Sequence, residues 1–161
     1  MKKTGFIVGK FAPFHSGHEH LLAIAYAATD QLLVLVYDAP DCTHVPLGVR
    51  AAWIRAAFPR ALVLEGNNSP PRGVWSEEFM RQHEGFIKNH IAPHRITHVY
   101  SGEVYGSRLA EVLGAEHVLV DKIFGELPLS ASVLRKNPEL YQRYVQEGVY
   151  GDLMKYGDIQ I

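Results

Sequence analysis

The chain has 161 residues, 47% of them hydrophobic and 11% aromatic, with a formal charge of −1; these are values of a folded domain with one substantial core, not of a disordered chain. The near-neutral charge excludes the basic footprint of a nucleic-acid binder, and the single cysteine, Cys42, excludes an intrachain disulfide or a thiolate metal cluster and predicts a reducing, cytoplasmic setting. No stretch reaches the roughly 20 apolar residues of a membrane span, and no secretory h-region with a cleavage site is present.

Thr4–Gly9 (TGFIVG) predicts a first strand and His18–Thr29 (HEHLLAIAYAAT) a buried, alanine-rich helix. Gln31–Tyr37 (QLLVLVY) is a continuous apolar run, as in a strand covered on both faces. Leu47–Phe58 predicts a helix stopped by Pro59, and Ala61–Glu65 a third strand. Gly66–Gly73 (GNNSPPRG) is dense in turn formers. Ser76–Ile91 opens with Ser-Glu-Glu, suited to an N-cap and the positive end of a helix dipole. Ile96–Ser101 predicts a fourth strand, Tyr105–Leu113 a helix closed by Gly114, and His117–Asp121 a fifth strand. Lys122–Leu129 reads as a loop, and Ser130 to about Tyr156 as helical.

Strands alternating with helices predict an α/β fold, a Rossmann-like, doubly wound parallel sheet of five strands. The expected organisation is a single domain over 1–161, with the helical segment from about 130 packed on it. Ligands in such sheets bind beyond the carboxyl ends of the strands. The loops after Gly9, Tyr37, Glu65, Ser101 and Asp121 therefore carry most functional weight.

The first of these, Gly9–Leu22 (GKFAPFHSGHEHLL), runs from strand to helix, where phosphates are commonly held. Gly9 and Gly17 allow close backbone approach, and Pro13 stiffens the loop. His15 and His18 are spaced to converge on one phosphate, with the Lys10 ammonium beside them. Attack on an α-phosphate needs positioning and charge neutralisation more than covalent help, so no nucleophilic Ser or Cys is required. His18 and His20 are two apart on a helix and face different directions, which argues against a metal cluster. His20, His44, His83, His90, His94 and His117 read as ordinary residues.

GKFAPFHSGH resembles the HxGH signature of the nucleotidyltransferase superfamily. Near the other end, Pro128–Arg135 (PLSASVLR) predicts a loop turning into a helix, with Ser130 an N-cap and Ser132 and Arg135 on one face. This segment is similar to the superfamily's second signature, Ser-x-Thr-x-x-Arg, with Ser132 in place of threonine. Arg135 then becomes the ligand of the triphosphate tail.

Softer similarities in GKF, PLGVRAAWIRAAFP, PPRGVWSEEF and VYSGEVYGSRLAEVLGAEHVLVD resemble nicotinamide mononucleotide adenylyltransferases of the NadR type. The resemblance implies transfer of AMP from ATP to nicotinamide mononucleotide, with magnesium carried by ATP and no metal site on the protein. It implies ATP contacts from Gly9, Phe11, His15, Gly17, His18, Ser101, Glu103, Tyr105, Ser130, Ser132 and Arg135. Lys10, Arg50, Asn67 and Trp75 are the implied acceptor contacts, Trp75 by stacking on the nicotinamide ring. The chain lacks a GxxxxGK[ST] segment, so the kinase and regulatory activities of NadR-type proteins are not carried over. Alternatives are transfer to phosphopantetheine or glycerol phosphate, and a module that senses nucleotide without turnover. The Val149–Ile161 tail is a candidate subunit contact for a homo-oligomer.

Overall fold

The computed structural model describes residues 1–71, 74–121, 123–124 and 127–159. Arg72 and Gly73 of the predicted loop, Lys122, Gly125 and Glu126, and the tail residues Gln160 and Ile161 lie outside the described residues. In chain order the main elements are β1 (Thr4–Gly9), α1 (Ser16–Ala28), β2 (Gln31–Tyr37), α2 (Leu47–Ala57), β3 (Leu62–Gly66), α3 (Glu77–Ile91), β4 (His98–Ser101), α4 (Tyr105–Leu113) and β5 (Glu116–Leu119). The sheet is wholly parallel with order β3-β2-β1-β4-β5. The order reverses between β1 and β4, which opens a crevice at their carboxyl ends.

Strand pleat explains why β2 is apolar throughout. Leu32, Val34 and Val36 join Ile7, Leu22, Ala25, Ala51 and Ile54 in a core with α1 and α2. Leu33 and Leu35 join Phe6, Ile87, Ile91 and Leu109 in a second core with α3 and α4. Each side chain is worth about 1.5–3 kcal/mol when fully buried, so a polar substitution anywhere in the central run would cost one core or the other. Ser76 caps α3, its Oγ accepting from Phe79 N at 3.1 Å, with Glu77 and Glu78 in the first turn.

Three sequence expectations are corrected. First, α1 begins at Ser16, two residues before the predicted start, because His15 serves as its N-cap. Second, the predicted loop at Lys122–Leu129 contains two short antiparallel strands, β6 (Ile123–Phe124) and β7 (Leu127–Pro128). Third, the C-terminal helical stretch is broken into α5 (Ala131–Lys136), a 3₁₀ turn (Pro138–Leu140), α6 (Tyr141–Tyr144) and α7 (Glu147–Lys155). Pro138 cannot continue α5, since it has no N–H to donate.

These C-terminal elements are tied to the sheet. Leu134, Tyr141, Val149 and Leu153 are buried in the first core, and Trp53 Nε1 donates to Asp152 at 2.7 Å. Asp158 accepts from Thr43 Oγ1 and from His44 N at 2.7 Å. Ser16 Oγ donates to Tyr144 O at 3.0 Å. The loops after β1 and β2 are thus braced by residues more than a hundred positions away. No helix among the described residues is long and apolar enough to cross a membrane.

Candidate active site

At the end of β1 the chain turns through Phe11, whose φ of 49° is unfavourable for a residue with a Cβ. Burial holds it there: the ring is 2% exposed and packs on His18 at 4.7 Å between centroids. His15 is 3% exposed. Its Nδ1 accepts from Gly17 N at 3.0 Å and His18 N at 3.4 Å, while His18 Nδ1 accepts from His15 N at 3.3 Å. The two imidazoles thereby form a reciprocal capping box, with rings stacked 3.7 Å apart. A backbone N–H can only donate, so each Nδ1 carries a lone pair and each Nε2 carries the proton. Both rings are therefore set as Nε2–H donors at a helix N-terminus. A Cβ on Gly17 would lie 2.9 Å from His15 Cε1; the glycine makes room for that ring.

Ser130 caps α5, its Oγ accepting from Val133 N at 3.1 Å. Arg135 Nη1 donates to Ala12 O at 2.6 Å and Nη2 to Ser132 Oγ at 3.3 Å. The first of these bonds ties the arginine directly to the β1–α1 loop. His15, Gly17, His18, Ser130, Ser132 and Arg135 accordingly line one cavity of about 280 Å³. Residues from the two ends of the chain close around the same space.

A larger cleft of about 1000 Å³ adjoins it. Lys10, His18, Leu21, Gly102 and Glu103 line both and form the junction. Lys10 Nζ lies 3.5 Å from Cys42 Sγ. Trp75 is 60% exposed and meets Tyr105 edge-on at 5.0 Å and Phe79 at 5.4 Å. Ser101 Oγ contacts His117 Nε2 at 2.7 Å and donates to Glu103 O at 2.8 Å. Gly9, Trp75, Ser101, Glu103 and Tyr105 all line this cleft, whereas Phe11 lines the smaller cavity.

Two expected acceptor contacts are placed elsewhere. Arg50 is 2% exposed, and its guanidinium donates to the carbonyls of Val45 (3.1 Å), Lys10 (2.5 Å) and Tyr37 (2.9 Å). It fastens the backbone of Lys10 from below and does not face the cleft. Asn67 is exposed; Ser69, Pro70 and Pro71 from the same loop form the wall instead.

Several lining residues escaped the sequence analysis. Asp38 accepts from Asn68 N and Ser69 N at 3.0 Å each and so anchors the loop after β3. Burial would raise its pKa, but the hydrogen bonds from Ser69 and Asn68 prevail and hold the carboxyl below its usual range. Tyr37, Phe79 and His83 also line the cleft, and burial pushes the Tyr37 phenol up to about 12. The signal for Asp38 was its place just after a parallel strand; Phe79 in the first turn of α3 and His83 in its middle give none. No group of three His, Cys, Asp or Glu side chains able to hold a metal occurs among the described residues.

No family model matches the chain. The trifunctional NAD biosynthesis/regulator protein NadR of Escherichia coli K12 is 29% identical over 168 residues, covering 89% of this chain and 39% of NadR. The chain is thus similar to one part of NadR, and its fold is that of a nucleotidyltransferase. A crystal structure of NadR in complex with NR superposes with a TM-score of 0.61 at 24% identity, covering 92% of this chain and 44% of that one. A bifunctional NMN adenylyltransferase/ADP ribose pyrophosphatase from Francisella tularensis, complexed with AMP and a manganese ion, also gives 0.61, at 15% identity, with 99% and 50% covered. The chain therefore spans well under half the length of the curated NadR it matches, and likeness to the two solved structures concerns the fold.

Proposed function

We propose that this protein transfers AMP from ATP to nicotinamide mononucleotide, forming NAD and pyrophosphate. The observation that carries the reading is the meeting of His15, His18 and Arg135 in one cavity, beside a cleft faced by an exposed indole. The similar NadR and NMN adenylyltransferase act on or bind ligands of this class, as their names and complexes state.

In this reading the triphosphate tail lies in the small cavity, held by the Arg135 guanidinium, the Ser130 and Ser132 hydroxyls and the start of α5. The α-phosphate sits at the junction, where the Nε2–H groups of His15 and His18 and the Lys10 ammonium face its oxygens. A phosphate oxygen of the acceptor attacks the α-phosphorus in line. The bond to the bridging oxygen breaks and the electron pair leaves with pyrophosphate. No proton transfer is needed, because the attacking phosphate is already ionised, so preorganised donors supply most of the acceleration. Magnesium brought in with the triphosphate would supply charge neutralisation for the departing pyrophosphate, and Glu103 and Asp121, which line the cavity, are oxygen donors that would help to hold it.

Incubation with ATP, magnesium and nicotinamide mononucleotide should yield NAD and pyrophosphate in equal amounts. Pyrophosphate release with phosphopantetheine or glycerol phosphate, and none with nicotinamide mononucleotide, would assign another acceptor. Tight nucleotide binding without pyrophosphate from any acceptor would make the protein a sensor.

A further inference from the structure

Helix α7 ends in a turn that aims one carboxylate back toward the loop after β2. Gly157 takes a φ of 84°, a left-handed conformation that glycine adopts without a Cβ penalty. Gly157 N donates to Met154 O at 3.2 Å and Asp158 N to Leu153 O at 2.8 Å, the two bonds that close a Schellman helix end. Leu153 is buried in the first core, so the backbone that carries Asp158 is anchored there. The Asp158 carboxylate then accepts from Thr43 Oγ1 and from His44 N.

From Thr43 the bonds continue to the site. Thr43 Oγ1 accepts from Val45 N at 3.0 Å, Val45 O accepts from Arg50 Nε, and Arg50 Nη1 donates to both Lys10 O and Tyr37 O. Those two carbonyls stand where the sheet opens. The last β1–β2 pair is Gly9 with Val36, and Lys10 and Tyr37 are the next residue on each strand. One guanidinium nitrogen thus takes the place of a ladder bond and fixes the splay of the two strand ends. Arg50 is buried and stays charged. Asp38 and Asp158 are the carboxylates whose charge offsets the cost of that burial.

We propose that Asp158 is a positioning residue for Lys10, acting through Thr43, Val45 and Arg50 to hold the backbone from which the ammonium reaches the α-phosphate. This rests on the adenylyltransferase reading above. Asp158, Thr43, Val45 and Arg50 line neither cavity, whereas Lys10 lines both, so the effect is transmitted and not made by contact. Displacing a reacting-site group by about an ångström can cost on the order of a hundredfold in rate. The triphosphate tail is held by Arg135 and Ser130, which this chain of bonds does not include. The loss therefore falls on the chemical step more than on ATP binding.

The test measures AMP transfer to nicotinamide mononucleotide in a set of variants. Asp158→Asn and Thr43→Val, the second close to isosteric, should each lower kcat about tenfold and leave the ATP KM within about twofold of wild type. Thr43→Ser keeps the hydroxyl and should retain most of the rate. Trp53→Phe removes a different bond to the same C-terminal segment, that to Asp152, and should lower the thermal midpoint without lowering kcat. In a Lys10→Ala background, Asp158→Asn should change the remaining rate by less than about twofold, because the group it positions is gone. Thr43→Val carries the test if the Asp158 variant does not fold. A further loss of about tenfold in the Lys10→Ala background, a kcat loss in Trp53→Phe equal to that in Asp158→Asn, or wild-type kcat in the folded variants would overturn the assignment alone. Absence of turnover by the wild type with any acceptor would overturn it together with the adenylyltransferase reading.

Discussion

The two halves of the site are built on different terms. In the small cavity the local backbone itself positions the chemistry: His15 and His18 cap a helix, Ser130 caps another, and Arg135 is bonded to Ala12 O. In the large cleft the indole of Trp75 stands 60% exposed and His83 Nδ1 is buried without a hydrogen-bond partner among the described residues. In the proposed reading, one half is finished before any ligand arrives and the other is completed by it. That contrast suits a reaction in which one triphosphate must be held in fixed geometry while acceptors are discriminated by fit.

Removing a donor from the finished half should have the largest consequence. His18→Ala should lower the rate of AMP transfer by about 10²–10³-fold, the range for loss of one preorganised donor. A steady-state pyrophosphate assay measures this, and an unchanged rate would mean the capping box is only structural. The framework between the halves is next. A Cβ at position 106 would lie 2.0 Å from Ser101 Oγ and 2.4 Å from His117 Nε2, so Gly106→Ala should cost about 1–3 kcal/mol. Thermal unfolding should then show a midpoint lower by several degrees. An unshifted midpoint would show that the loop after β4 repacks freely.

In the ligand-completed half, Trp75→Ala should raise the acceptor KM about tenfold, within the range for a cation on an indole face, and leave the ATP KM alone. Equal effects on both would make the residue a mere helix flank. The smallest effect concerns pH. His83 has its pKa lowered in the folded state, from an ordinary value of 6.5. Below that value the unfolded chain takes up a proton that the folded chain resists, so stability falls on acidification. Denaturant titrations should therefore show wild type losing stability relative to His83→Leu as pH drops below about 6.5, and a pH-independent difference would contradict this.

How much of this was legible in the sequence follows from where the signal lay. β1 and β2 begin and end at the predicted residues because glycines bound the first and an unbroken apolar run defines the second. The site loop was legible because its residues are local: ten positions carry Gly9, Lys10, His15, Gly17 and His18. The start of α1 was misplaced because imidazole is not among the usual capping side chains. Pro138 signalled the break after α5, yet the helical reading ran through it. The bracing role of Arg50 was not legible, because a buried guanidinium tying three carbonyls looks, in sequence, like any arginine at a helix start. His83 and Asp38 act through contacts between segments that lie tens of residues apart, which no spacing within one element reveals.

The account is tested most directly by a crystal structure of the protein with a non-hydrolysable ATP analogue. The predicted result is a single nucleotide whose β- and γ-phosphates contact Arg135 and Ser130, with its α-phosphate within hydrogen-bond distance of His15 and His18 Nε2. A triphosphate bound away from Arg135, or the two imidazoles turned from its α-phosphate, would contradict it.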